Sequence, residues 1–124
     1  MIQGIEHTAI ASPNPQKLAE WYVQHLDFVI NYNSGRTVFV KAPNGFMLEI
    51  ITSEGERGPQ TMKDPGLRHL AIAVTDFAAV YSRLQAQGVR FEGEPVDNKG
   101  NKVVFFSDPD GNYLHLLERA TPLG

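Results

Sequence analysis

Histidine and acidic residues recur at matching positions in two halves of the chain. His7 lies in the segment Ile-Glu-His-Thr-Ala-Ile-Ala, and His69 lies in the similar segment Leu-Arg-His-Leu-Ala-Ile-Ala, 62 residues later. Glu49 and His115 match in the same way at an offset of 66 residues. Imidazole and carboxylate groups are ligands of divalent metal ions, and an ion with open positions supports Lewis-acid or oxygen chemistry. These four residues are therefore the candidate metal ligands.

A longer match indicates that the four residues belong to a duplicated unit. Residues 37–51 fall on residues 103–117, and Val, Phe, Pro, Gly and Leu coincide at five positions. The two offsets are nearly equal, as expected when a repeated unit of roughly 60 residues keeps its elements and changes its loops. We predict a single domain over residues 1–124, made of one unit at 1–52, a linker at 53–66 and a second unit at 67–119.

Each unit is predicted to follow the order βαβββ, which gives an α+β fold. Short apolar runs indicate strands, and apolar residues at helical spacing indicate one helix per unit. The opening strands are expected at residues 5–11 and 67–74, the helices at 18–26 and 77–84, and the next strands at 28–32 and 89–92. A hairpin then closes each unit, because Asn44-Gly45 and Asp110-Gly111 are typical of tight turns.

The alternation of side chains along the strands places the four candidates on faces lined by small residues. In the strand at 67–74, His69 shares a face with two alanines, while the bulky residues point the other way. His7 has the same arrangement. Glu49 and His115 alternate with large apolar neighbours and occupy equivalent positions. Glu118 lies three residues past His115 and so points to the helix side, which makes His115 the better ligand.

Composition narrows the possible functions. A net charge of −3 and a pI near 5.7 argue against nucleic acid as a partner. The chain has no cysteine, so any metal ligand must be histidine or carboxylate. No apolar stretch approaches the roughly 20 residues that span a bilayer, so no membrane segment is expected. The N-terminal residues lack the pattern of a secretory signal, and a cytoplasmic location is the resulting expectation.

The paired units, their histidines and two hairpin segments resemble the vicinal oxygen chelate superfamily. The segments are Pro-Asn-Gly-Phe-Met-Leu-Glu, which ends at Glu49, and Asp-Pro-Asp-Gly-Asn-Tyr-Leu-His, which ends at His115. This superfamily includes glyoxalase I, bleomycin- and fosfomycin-resistance proteins, methylmalonyl-CoA epimerase and extradiol dioxygenases. The resemblance covers nearly the whole chain.

The resemblance implies a fold, a cofactor and a reaction class. It implies a cupped, mixed, eight-stranded sheet with the helices outside, often completed across a homodimer. It also implies a divalent ion, which could be zinc, nickel, manganese, cobalt or iron, held by His7, Glu49, His69 and His115. The ion would bind vicinal oxygens of a small substrate for isomerase, lyase or epimerase chemistry. Glu49 is the candidate catalytic residue, because its carboxylate can move a proton.

One departure from the family pattern bears on the chemistry. The glyoxalase-type pattern carries Glu where this chain has His115, which argues against strict glyoxalase I activity. One carboxylate in place of two leaves a divalent ion with a formal charge of about +1, which strengthens the Lewis acid and removes one candidate base.

Two other classes of function remain open from the sequence. Drug-sequestering proteins of this superfamily bind small molecules without a metal, although a complete set of four ligands argues against that interpretation. An extradiol-type dioxygenase is the second alternative, because two histidines and one carboxylate can be chosen from the four residues.

Overall fold

The computed structural model describes all 124 residues, which form two compact units, Met1–Gly58 and Pro59–Gly124. Each unit contains one sheet and one helix. The elements of the first unit are β1 (His7–Ser12), α1 (Pro15–Leu26), β2 (Val29–Asn33), β3 (Thr37–Lys41) and β4 (Met47–Thr52). Those of the second unit are β5 (His69–Ala73), α2 (Phe77–Ala86), β6 (Arg90–Phe91), β7 (Val96–Asn98), β8 (Asn101–Ser107) and β9 (Tyr113–Glu118). No helix or strand lies between Thr52 and His69.

The two sheets repeat the same topology. The strand order is β1-β4-β3-β2 in the first unit and β5-β9-β8-β6 in the second, with β7 paired to β8. In each unit the opening strand runs parallel to the last strand, and the remaining pairs are antiparallel. The prediction of an α+β fold with repeated units is therefore confirmed.

The second unit has one strand more than expected, so the chain has nine strands in place of eight. The additional strand β7 forms a tight hairpin with β8. Lys99 and Gly100 both take positive φ, at 54° and 87°, and Asp97 Oδ1 accepts a hydrogen bond of 2.8 Å from the Gly100 amide. The first unit has an equivalent turn between β2 and β3, where Gly35 takes φ of 94° and donates its amide to Asn33 Oδ1 at 2.8 Å. The additional strand arises because the edge strand, continuous as β2 in the first unit, is divided into β6 and β7 in the second.

Capping residues define both helices. The Asn14 side chain accepts from the Lys17 amide at 3.1 Å, and Pro15 opens α1. Asp76 caps α2 through the Ala79 amide at 3.4 Å, and Gly88 follows that helix with φ of 80°. Neither helix combines the length and the apolar character needed to cross a membrane.

The core of each unit lies between its helix and one face of its sheet. In β4 and β9 the residues that alternate with Glu49 and His115 are fully buried: Leu48, Ile50, Leu114 and Leu116. The helices contribute buried residues to the same cores, including Leu18, Tyr22 and Leu84. Burial of one face of the last strand fixes the opposite orientation of Glu49 and His115, because neighbouring side chains of a strand point to opposite faces.

Candidate functional site

The first unit brings His7 and Glu49 together. Ala9 pairs with Glu49 in the parallel ladder of β1 and β4, so His7 lies one diagonal step away on the same face. The Nε2 atom of His7 is 3.5 Å from Oε1 of Glu49, and its Nδ1 atom is 3.0 Å from Oε1 of Glu6. Both side chains are partly exposed, at 33% for His7 and 25% for Glu49. This pair offers one imidazole and one carboxylate to a ligand.

The second unit brings His69 and His115 together at the equivalent positions. Ala71 pairs with His115 in the ladder of β5 and β9, as Ala9 pairs with Glu49. The two imidazole rings lie with their centroids 4.4 Å apart at an interplanar angle of 79°. His115 is buried, with 9% of its surface exposed, and its Nδ1 atom is buried without a hydrogen-bond partner. This pair offers two imidazoles.

The surroundings of the second pair favour neutral imidazole. Burial, then the nearby His69 and Arg119, lower the pKa of His115 from 6.5 to about 4. Burial and the adjacent Arg68 also lower the pKa of His69. A histidine must be neutral to bind a metal ion through a ring nitrogen. At neutral pH both rings are therefore in the protonation state that a metal ion requires.

Each pair has a phenylalanine beside it, on the strand that pairs antiparallel with β4 or β9. The sequence did not predict a role for these two residues. Phe39 pairs with Glu49 across β3 and β4, and its ring meets the His7 ring edge-on at 5.2 Å. Phe105 pairs with His115 across β8 and β9, stacks on its ring at 5.0 Å and meets the His69 ring at 5.5 Å. The signal was present, because Phe39 and Phe105 coincide in the repeat alignment.

The donor atoms in each unit fit part of a metal-ion site. The Nδ1 atom of His115 is buried and has no hydrogen-bond partner within the protein, although buried polar groups normally have one. In the first unit, the Glu6 carboxylate beside Nδ1 of His7 orients Nε2 toward Glu49, an arrangement that is typical of metal-binding histidines. Neither unit by itself gathers three or more acidic or histidine side chains in an arrangement that can hold an ion.

Glu118 lies on the helix side of its sheet, away from the histidine pair. Its Oε1 atom accepts a hydrogen bond of 3.0 Å from the Phe77 amide at the start of α2, and Lys102 Nζ lies 3.9 Å from its Oε2 atom. Its carboxylate is thus used by the fold, as expected from its position three residues after His115.

The chain is similar to a curated protein and to several proteins of solved structure. A lactoylglutathione lyase of Pseudomonas aeruginosa is 31% identical over 88 residues, which cover 70% of this chain and 48% of that protein. The chain thus spans about half the length of this curated relative. The structure of a glyoxalase family protein from Enterococcus faecalis has a TM-score of 0.78 and 32% identity, covering 94% of this chain and 98% of that chain. Oxidase ChaP-H2 has a TM-score of 0.77 and 27% identity, covering 100% and 98%.

The match to a family model extends over most of the sequence. It runs from residue 4 to residue 116 and therefore includes most of each unit and all four candidate ligands. The chain belongs to the Glyoxalase/Bleomycin resistance protein/Dioxygenase superfamily.

Proposed function

We propose that the protein is a metal-dependent enzyme of the glyoxalase type, with His7, Glu49, His69 and His115 as ligands of a divalent ion. The observation that carries the proposal is the repetition of donor pairs at the same ladder positions, with an unpartnered imidazole nitrogen in one of them. The His7–Glu49 pair is bonded within the first unit, but no contact within the protein accounts for the Nδ1 atom of His115, because buried polar groups normally have a hydrogen-bond partner. The similarity to a lactoylglutathione lyase supports the lyase or isomerase class.

A bound divalent ion supplies Lewis-acid stabilisation of an oxyanion formed on a substrate with two neighbouring oxygens. The residues of the chain do the rest. His69 and His115 present neutral rings, and Phe105 restricts the orientation of His115 by stacking on it. Glu49 is the group that moves a proton, because its carboxylate is the only anionic group among the four side chains and is a quarter exposed. Phe39 and Phe105 add apolar surface that excludes water from the substrate.

His115 sets the reaction apart from that of glyoxalases with two glutamates. A neutral imidazole at this position leaves the ion more positive than a second carboxylate would, and it leaves Glu49 as a single base. We therefore propose isomerase, lyase or epimerase chemistry that needs one proton-transfer group.

Metal content tests the proposal. The protein is purified without added metal or is reloaded with zinc, nickel, manganese, cobalt or iron(II). Elemental analysis is expected to find one bound ion for each set of four ligands. H69A and H115A are expected to lose it, because each removes one ligand. H25A is the matched control, since His25 lies in α1 outside both pairs. Unchanged metal content in H69A and H115A would show that the ion does not bind at these histidines. Absence of bound metal in the wild-type protein would leave a metal-free small-molecule binding protein as the better interpretation.

An oxygen-activating enzyme is the second candidate. The similarity to an oxidase over the whole chain favours it, together with the availability of two histidines and one carboxylate. Oxygen uptake by the iron(II)-loaded protein with catechols separates the two candidates. Uptake that disappears in H69A would assign the protein to this second class.

A homodimer is part of the proposal. The edge strand β2 exposes apolar side chains, with 58% of Val29, 43% of Ile30 and 56% of Tyr32 accessible. An exposed apolar edge is a common surface for pairing of two copies. Light scattering on the purified protein should give twice the chain mass, and a mass of 13.8 kDa would exclude the dimer.

A further inference from the structure

A cleft of about 450 Å³ lies in the second unit, where β5 and β9 end side by side. It is bounded by the turn between β5 and α2 and by the segment that follows β9. The apolar part of its lining includes Ala73, Val74 and Leu117. The charged part consists of Asp76, Glu118 and Arg119. A largely apolar cleft with a few charged groups is suited to a small amphipathic molecule.

The fold already uses both carboxylates of the cleft. Asp76 accepts a hydrogen bond of 3.4 Å from the Ala79 amide as the cap of α2. Glu118 accepts one of 3.0 Å from the Phe77 amide and lies 3.9 Å from the Lys102 ammonium group. Their negative charges are therefore compensated by the start of the helix and by Lys102.

The guanidinium group of Arg119 has no such partner, since no carboxylate of the protein forms an ion pair with it. Its backbone is nevertheless held in place. Arg119 directly follows β9, and the next residue, Ala120, donates its amide to Oδ1 of Asn101 at 3.0 Å. The cleft thus presents an uncompensated positive charge at a fixed position in its wall.

The first unit shows that the fold does not need this arginine. By the repeat offset, Glu118 and Arg119 correspond to Thr52 and Ser53, and the parallel strand ends form there without any charged side chain. The Thr52 hydroxyl donates to the Arg36 carbonyl oxygen, and Ser53 donates its amide to the carbonyl oxygen of Ser12. Glu118 is also absent from the first unit, but its carboxylate bonds to the start of α2 and lies near Lys102, whereas no contact of this kind accounts for the guanidinium group of Arg119.

We propose that this cleft binds the carboxylate of a small amphipathic molecule, with Arg119 as its counter-ion. Guanidinium is suited to this role because its paired N–H groups match the two carboxylate oxygens. Arg119 follows the last residue of β9 and lies four positions beyond His115, about 13 Å along an extended chain. This assignment rests on the proposed function and names the substrate class: a molecule with its reacting oxygens at the histidines and a carboxylate about 13 Å away.

Hexanoate and its neutral analogue hexanamide test the inference directly. Each is titrated into metal-free protein while amide chemical shifts of the second unit are followed by NMR. We expect hexanoate to shift the resonances of residues 73–76 and 117–120 and to bind at least about tenfold more tightly than hexanamide, because a charged hydrogen-bond partner adds that much. R119Q should weaken hexanoate to the level of hexanamide, and R119K should fall between, since it keeps the charge without the paired N–H groups.

R90Q is the matched control. It removes one positive charge from the same unit, but Arg90 pairs with Ser107 at the opposite end of the sheet and contacts Glu92 at 3.2 Å. Equal affinity for hexanoate and hexanamide, or equal weakening by R90Q and R119Q, would overturn the inference.

Metal content of R119Q separates this inference from the metal proposal. Loss of hexanoate binding in R119Q with wild-type metal content supports both. If the protein holds its ion but does not bind hexanoate, the proposal for the cleft is overturned and the metal proposal is not. If hexanoate binding depends on Arg119 in a protein that retains no ion, the metal proposal is overturned and the proposal for the cleft is supported.

Discussion

The two units place different chemistry on the same framework. At equivalent ladder positions, the first unit presents His7 with Glu49, and the second presents His69 with His115. The first pair is accessible and faces carboxylates on both ring nitrogens of His7. The second is more buried, and its rings are packed against Phe105. The same backbone thus supports an anionic, exposed pair in one copy and a neutral, packed pair in the other.

The difference follows from how much each pair is shielded from water. Solvent reaches the Glu49 carboxylate, whereas burial at His115 favours an uncharged group. Two units with the same strand topology thus carry a carboxylate at one of the equivalent positions, Glu49, and an imidazole at the other, His115.

Exchanging the two side chains gives the largest expected effect. H115E places a carboxylate at a position that is 9% exposed and stacked on Phe105, so the metal-free protein should lose about 3 kcal/mol of unfolding free energy. E49H changes a side chain that is a quarter exposed and should cost about 0.5 kcal/mol. Urea denaturation in the presence of EDTA measures both.

The effect of zinc on the stability of H115E gives a second test. Adding zinc should restore much of the stability of H115E, because a bound cation compensates the buried carboxylate. Equal losses in H115E and E49H without metal would show that the two positions do not differ in shielding, and the comparison between the units would fail.

Acid should destabilise the second unit through His115. Its pKa is about 4 in the folded protein and 6.5 when unperturbed. Between these two pH values the imidazole is therefore protonated in the unfolded chain and neutral in the folded chain. Stability is therefore fully present above pH 6.5 and is lost as the pH falls toward 4, by about 3 kcal/mol. H115Q should flatten this part of the profile in metal-free protein. F39L removes no titratable group and should keep the wild-type slope, and an equal slope in H115Q would contradict the assignment.

The sequence predicted the repeated framework because alternation and turn residues act locally. Gly45 and Gly111 take φ of 93° and 86° in equivalent turns, and those turns set the register that aligns Glu49 with Ala9 and His115 with Ala71. The pairing of the candidate ligands within each unit followed from this register. These features depend on neighbours in the chain or on adjacent strands, which a repeat makes visible.

What the sequence did not predict depends on differences between the copies. The edge strand of the second unit is divided into β6 and β7, whereas the equivalent strand β2 of the first unit is continuous. The stacking of Phe105 on His115 needs ring orientations that alternation leaves open. The free charge of Arg119 emerged only when the partners of Glu118 and Asp76 were known. Each is a property of side-chain packing in three dimensions.

Replacing the aromatic residue of each pair gives the smallest effect and the finest test of the comparison. Phe105 contacts both imidazoles of its unit, at 5.0 Å and 5.5 Å, whereas Phe39 contacts the single ring of His7 at 5.2 Å and that of Tyr32 at 6.0 Å. F105L should cost about 1 kcal/mol more than F39L in urea denaturation, because the stacked ring pair is lost in addition to apolar contact. F105L should also free the His115 ring, which NMR detects as a rise in its pKa toward 6.5. Equal costs, with an unchanged pKa for His115, would mean that Phe105 fills space without holding the imidazole, and the second pair would then owe its neutrality to the backbone and core around it.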